Sequence, residues 1–162
     1  MHRRTRPPIA YTIALLVATI LPIGCADADR IDVVPVLTNG NCQTTEIGVR
    51  LIDYATLAAF RATHLIGMTE SPEATKKPLH LIAIVPGEYP TPGYTVALQA
   101  APELVDGAMT LKIKVEHPAK DSILAQMITH PCLVVGVADP AVGHVRVTDE
   151  TAKLIGELDL PK

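Results

Sequence analysis

The residues with chemistry to offer are six histidines and three cysteines in a chain of 162. His130 and Cys132 are one residue apart, and His117 and His144 flank the same region. Imidazole and thiolate together suit zinc or copper. The spacing matches no closed Cys/His ligand pattern, and Pro131 biases His130 towards extended backbone. A Cys–His hydrolase needs a free thiolate beside its base, and Cys132 with His130 is the one nearby pair. His80 falls in an apolar run, where histidine is more often a hydrogen-bonded core residue than a base. There is no G-x-S-x-G, H-E-x-x-H or Walker lysine. The expectation is a protein without metal or cofactor, and not an enzyme.

What remains is a stretch of unusual stiffness, Pro86-Gly87-Glu88-Tyr89-Pro90-Thr91-Pro92-Gly93-Tyr94. Prolines fix φ and glycines supply positive φ, so a sharp exit from one strand into the next is expected here. Two readings stand. The turn is either a conformational device, with Tyr94 as an inward anchor, or a pre-stiffened binding loop formed by Tyr89, Pro90, Thr91, Pro92, Gly93 and Tyr94. A rigid backbone would lower the entropy lost on contact with a partner.

The elements that must position this stretch begin after a leader. His2-Arg3-Arg4-Thr5-Arg6 is a positive n-region, and Ile9 to Leu21 is an uncharged apolar run. Such a run is short for a membrane-spanning helix and has the shape of a signal peptide. Gly24-Cys25 ends it like a bacterial lipobox, with Pro22 where Leu is usual, so Cys25 is the expected lipidation site. Ala26 after it resembles lipoproteins sent to an outer membrane, facing the periplasm. The alternative is cleavage after Ala28, at the A-x-A-like Ala26-Asp27-Ala28, giving a soluble periplasmic protein. A retained membrane anchor ranks third. Without Arg3, Arg4 and Arg6 the chain keeps 11 of its 14 Lys+Arg against 17 Asp+Glu, a net −6. Nucleic acid, which needs a clustered basic footprint, is excluded as a partner. Export leaves Cys42 and Cys132 as an even pair in an oxidising compartment. They form either a disulfide, enclosing about 90 residues and contributing on the order of 4 kcal/mol, or two thiols.

Hydropathy patterning then predicts an α+β fold: a mainly antiparallel, sandwich-like β sheet with one packed amphipathic helix. Residues 1–24 are the leader, 25–30 a tether, 31–148 the β-rich domain and 149–162 a loosely ordered tail. Ile31 to Leu37 is a strand that Pro35 demotes to an edge or a bulge. Thr38-Asn39-Gly40-Asn41 signals a turn, and Glu46 to Leu51 a short strand. Asp53 caps a helix reaching about His64, with Tyr54, Leu57, Phe60 and Leu65 along its apolar face. Glu70 to Pro78 is a charged, solvated loop. Leu79 to Val85 reads as a strand buried on both faces. Tyr94, Val96, Leu98 and Ala100 alternate with polar or small residues, and Asp106-Gly107 is a hairpin signal. Met109, Leu111, Ile113 and Val115 face inward on a strand pairing antiparallel with 94–100. A connector from His117 to Pro131, with a helical turn near Ser122 to Met127, leads to the buried strand Cys132 to Val137. Asp139 to Gly143 is a turn and His144 to Val147 a short strand. In the tail, Gly156 is read as breaking a helical turn at Ala152 to Ile155.

From about Arg50 to Val147 this order resembles the C-terminal domain of the bacterial protease complex subunit PrcB family. The resemblance rests on Gly87-Glu88-Tyr89-Pro90-Thr91-Pro92-Gly93-Tyr94, similar to a G-x-x-P-T-x-G-Y turn, and on Thr129-His130-Pro131 before Cys132. Pro92 stands where that family most often has a second Gly, and Cys132 where an aromatic usually follows the proline. The resemblance implies an exported, often lipid-anchored accessory or interaction module, associated with a secreted protease or an envelope complex. Pro90-Thr91-Pro92-Gly93-Tyr94 is also similar to the N-P-T-T-G-Y turn of chagasin-like cysteine-protease inhibitors, with Tyr89 in place of Asn. That second resemblance implies an inhibitory loop, for which Asp139 to Gly143 is the nearest companion.

Overall fold

A computed structural model describes residues 33–63, 69–70 and 80–162, with 69–70 as backbone only. The leader, Cys25, the tether, Leu65, the 71–78 part of the charged loop and Leu79 of the expected strand lie outside the described residues. Two sheets face each other. The first holds β1 (Val33–Asn39), β2 (Gly48–Ile52), β3 (Thr69–Glu70), β4 (His80–Val85) and β8 (Cys132–Val137), in the order β2-β4-β8-β1-β3. The second holds β5 (Thr95–Leu98), β6 (Glu103–Val105), β7 (Ala108–Glu116), β9 (His144–Thr148) and β10 (Leu154–Asp159). Its order is β10-β9-β7-β5, with β6 also on β7. The helix α1 (Tyr54–Ala62) follows β2.

The unbroken apolar runs of β4 and β8 are explained by burial on both faces. Ile82, Ile84, Leu133, Val135 and Val137 point between the sheets to meet Val96, Met109, Leu111, Ile113, Val145 and Val147. Leu81, Ala83, Val85 and Val134 point the other way, onto Leu57 and Phe60 of the helix. The first sheet is therefore the middle of three layers, and burying such a side chain is worth roughly 1.5–3 kcal/mol. A helix of nine residues is marginal in isolation, so Leu57 and Phe60 must hold it. Asp53 starts it, its carboxylate accepting from the Thr56 amide at 2.7 Å. The helix stops at Ala62, and Tyr54, expected on the apolar face, is 49% exposed.

β7 behaves as its alternation predicts, with Met109, Leu111 and Ile113 fully buried. Its far half pairs antiparallel with β5, Thr95 opposite Glu116. Its near half pairs with β6 across a two-residue loop, where Asp106 and Gly107 take φ of 51° and 78°, as a type I′ turn requires. Pro35 marks a bulge between Pro35 and Leu37. β1 is nonetheless no edge, since it lies between β8 and β3.

Two expectations for the tail and one for the connector are corrected. The tail is not loose: β10 pairs antiparallel with β9 from Leu154 to Asp159, and Leu160 is buried. Gly156 is not a breaker there; a Cβ on it would sit 3.0 Å from Val49 Cγ2, where β10 lies against β2. The connector has no helical turn at 122–127; its turn lies at Lys120-Asp121 and the rest of that stretch is irregular. β7 and β9 run parallel, Ala108 opposite His144, because the chain crosses to the first sheet for β8 between them.

The two ends of the sandwich differ. β1 starts at one end, Val33 opposite Val137, and β4 starts there too, His80 opposite Val137. The Gly107 turn and the Asp139–Gly143 turn meet at that end, Gly107 accepting from the Gly143 amide at 2.9 Å. The other end carries Asn39, Cys132, Val85 and the turn that follows it.

Candidate interaction surface

At that second end the Pro86–Tyr94 turn is held from behind. Tyr89 and Thr129 exchange both backbone hydrogen bonds, at 2.9 and 2.8 Å. The Thr129 hydroxyl donates to the Thr91 carbonyl at 2.9 Å, so this fully buried threonine is satisfied entirely by the turn. Glu88 pairs with His130 at 3.2 Å. Pro90 and Pro92 bring no amide to satisfy, which is why so few bonds suffice. Gly93 takes φ of 94°, and a Cβ there would lie 2.9 Å from Pro118 Cβ. The connector thus touches the turn at both ends, through Pro118 and through Thr129.

The same short segment binds the first sheet. The His130 carbonyl accepts from the Cys42 amide at 2.9 Å, and its amide donates to Asn41 Oδ1 at 3.2 Å. Cys42 and Cys132 form a disulfide with Cα atoms 6.0 Å apart. Asn39, fully buried, donates to the Phe60 carbonyl at 2.8 Å and to the Thr63 hydroxyl at 2.9 Å, and accepts from the Asn41 amide at 3.0 Å. Asn39-Gly40 therefore does not form the expected turn. Asn39 ends β1 and anchors the helix C-terminus.

Aromatic rings gather beside the turn. The rings of Tyr89 and Tyr94 are 4.4 Å apart, and His117 meets Tyr94 edge-on at 5.2 Å. Tyr94 is half-buried against these rings. A cleft of about 230 Å³ opens alongside, lined by Tyr89, Val115, His117, Asp149, Glu150 and Thr151. Asp149 shapes its acidic wall. Its Oδ1 accepts from the Thr151 amide and hydroxyl and from the Lys153 amide, which folds the β9–β10 turn back towards Tyr89. These bonds, led by that from Thr151, hold the Asp149 carboxyl below its ordinary value. Burial pushes the Tyr89 phenol up, with Tyr94 and Glu150 adding to the effect. The connector also carries apolar side chains left in water. Ile123 is fully exposed, and Ile128 and Met127 are 64% and 42% exposed.

The described histidines do not assemble. His130 goes to Glu88, His117 to Tyr94, and His144 to Asp159 at 2.8 Å. Among the described residues no group of three or more His, Cys, Asp or Glu is placed to hold a metal ion, and no helix is long and apolar enough to cross a membrane. Tyr89 to Tyr94 come together as one loop. Asp139 to Gly143 does not join them, because it lies at the far end of β7, nine residues and roughly 27 Å away. The geometry gives an inhibitory loop no companion from that turn. Sequence reasoning missed Thr129, Asn39 and Glu150 as contributors. The signal for Thr129 was its place in the threonine-proline segment; an isolated Glu or Asn carries none.

Residues 81–138 match the family model described as PrcB C-terminal. The match runs from β4 through the turn, β5 to β7 and the connector to the end of β8, somewhat over a third of the chain. It is shorter than the resemblance over 50–147, and β2, α1 and β9 fall outside it. No match was found among curated proteins or among solved structures.

Proposed function

We propose that this chain is a non-catalytic accessory module, exported and lipid-anchored through Cys25, that holds a protein partner at the Pro86–Tyr94 end. A secreted protease or an envelope complex is the partner class, the one that the PrcB-like segment suggests. One observation carries the reading: apolar side chains at Ile123, Met127 and Ile128 stay in water on a connector pinned to the turn by Thr129. Apolar side chains exposed on a fixed backbone are what a protein contact uses. The pinning lies behind the turn, so scaffold and contact are roles of different atoms: backbone and Thr129 for the first, the outer side chains for the second. The anchor places the module on the periplasmic face of an outer membrane; cleavage after Ala28 would instead release it into the periplasm.

Crosslinking pull-down of the full chain from intact envelope tests the function. We expect one predominant protein partner, lost when Ile123 and Ile128 are both replaced by Ser with an unchanged melting temperature. Recovery of no partner refutes the module reading. Palmitate labelling tests the anchor, and a Cys25→Ala variant that still takes up label refutes it.

A further inference from the structure

We infer that the cleft beside the tyrosine pair is a recognition site for a basic side chain, arginine or lysine, presented by the protein partner. The inference rests on the interaction-module reading and adds the chemistry of the contact. The cleft joins two features that single out a cation. Tyr89 lines it, with Tyr94 stacked at 4.4 Å and His117 beyond, and aromatic faces attract guanidinium and ammonium groups. Asp149 and Glu150 line it as well, and Glu150 is near enough to Tyr89 to act on its phenol. The chain supplies its own charge only in part. Lys153 acts on Asp149, while no described cation pairs with Glu150.

Size supports the same ligand. At about 230 Å³ the cleft falls below the roughly 300 Å³ at which small-molecule pockets begin, yet it admits the head of a long side chain. Position supports it too, since the cleft adjoins the turn and shares the connector with the exposed apolar residues. A partner seated on Ile123 and Ile128 would bring neighbouring side chains to the tyrosines. Hydrophobic contact would then supply area, and the cleft would supply register and selectivity.

The test uses tyrosine fluorescence, which Trp does not obscure because the chain has none. In the full chain with Tyr54→Phe, the emission beyond the leader comes from Tyr89 and Tyr94. Acetyl-Gly-Arg-Gly-amide and its Lys counterpart are expected to change this emission with a millimolar Kd, and the Glu counterpart to leave it unchanged. Glu150→Gln should weaken the Arg peptide about five- to tenfold, and Glu150→Lys should abolish binding, with circular dichroism unaltered. Equal response to the Glu peptide, or Arg binding indifferent to Glu150→Gln, overturns the inference. The envelope pull-down separates the two claims. Capture by wild type that survives Glu150→Lys overturns the basic-side-chain site and leaves the module. Failure of wild type to capture anything removes the module, and the peptide titration then decides the cleft alone.

Discussion

Replacing Gly93 by Ala tests whether the turn is held in the way described. Two costs add. A side chain at φ of 94° occupies the left-handed half of backbone space, costing roughly 1–2 kcal/mol. The new Cβ would lie 2.9 Å from Pro118 Cβ and 3.7 Å from its Cγ, where carbon atoms prefer about 3.5–4.0 Å. Pro118 must withdraw from beneath the turn, and overpacking of that kind costs about 1–3 kcal/mol. The sum, about 2–5 kcal/mol, is a large part of the 5–15 kcal/mol by which a typical domain is stable. Urea unfolding with the disulfide intact should show a midpoint lowered by about 1–2.5 M, for a slope of about 2 kcal/mol/M. Pro118→Gly separates the two costs by removing the offending Cβ. In that background Gly93→Ala should cost only the backbone part, so the double-mutant cycle should return a coupling of about 1 kcal/mol or more. A Gly93→Ala loss below about 0.5 kcal/mol would refute the reasoning. An equal loss in both backgrounds would refute its packing half.

Three further outcomes are expected. Asn39→Ala strips the hydrogen bonds from the Phe60 carbonyl and Thr63 and orphans the Asn41 amide; a loss of about 2–4 kcal/mol is expected by urea unfolding, and one below 1 kcal/mol would contradict the buried network. Reducing the Cys42–Cys132 bridge, 90 residues apart in sequence, should cost about 4 kcal/mol, and equal urea midpoints with and without reductant would count against it. The Asp53 carboxyl is held below its ordinary 3.8 by the Thr56 side chain and amide, and Asp149 below the same value by Thr151 first. Folded pKa values lower than unfolded ones give stability that is present above 3.8 and lost as pH falls below it. Unfolding midpoints should accordingly drop as pH falls below about 4, and Asp53→Asn, which still caps but does not titrate, should flatten part of that drop. An unchanged slope for Asp53→Asn would show that the cap does not contribute.

Much of the sandwich was legible because burial on one face or two leaves a pattern. β7 alternates as a half-buried strand must, and β4 and β8 are continuous because each has a core on either side. Asp106-Gly107 announced its turn through backbone chemistry, and Asp53 its helix. The failures share another cause. β10 is half-exposed, bulged after Leu154, and carries a glycine chosen by the closeness of Val49, so neither alternation nor propensity marks it. Asn39 is polar and fully buried, and residue type alone points it to a turn; only the helix end above it explains its place. The interaction surface was half legible. Pro90, Pro92 and Gly93 advertise rigidity, but the residue behind them is Thr129, distant in sequence and ordinary in type. Glu150 reaches Tyr89 only because β9 runs parallel to β7, a topology the pattern of apolar residues does not encode.

The direction of β1 has a consequence for where the protein works. Its first residue stands at the Gly107 and Asp139–Gly143 end, its last beside the disulfide. If lipid holds Cys25, only the seven residues 26–32 separate the bilayer from Val33, and even fully stretched they cover no more than about 25 Å. The attached pole of the module is then set by its own chain, and the tyrosine turn is the opposite pole, another 20 Å or so along β1. The protein would act as a short mast. It would present its contact surface to molecules at a standoff of up to about 45 Å, and lengthening 26–32 would raise that surface without altering it.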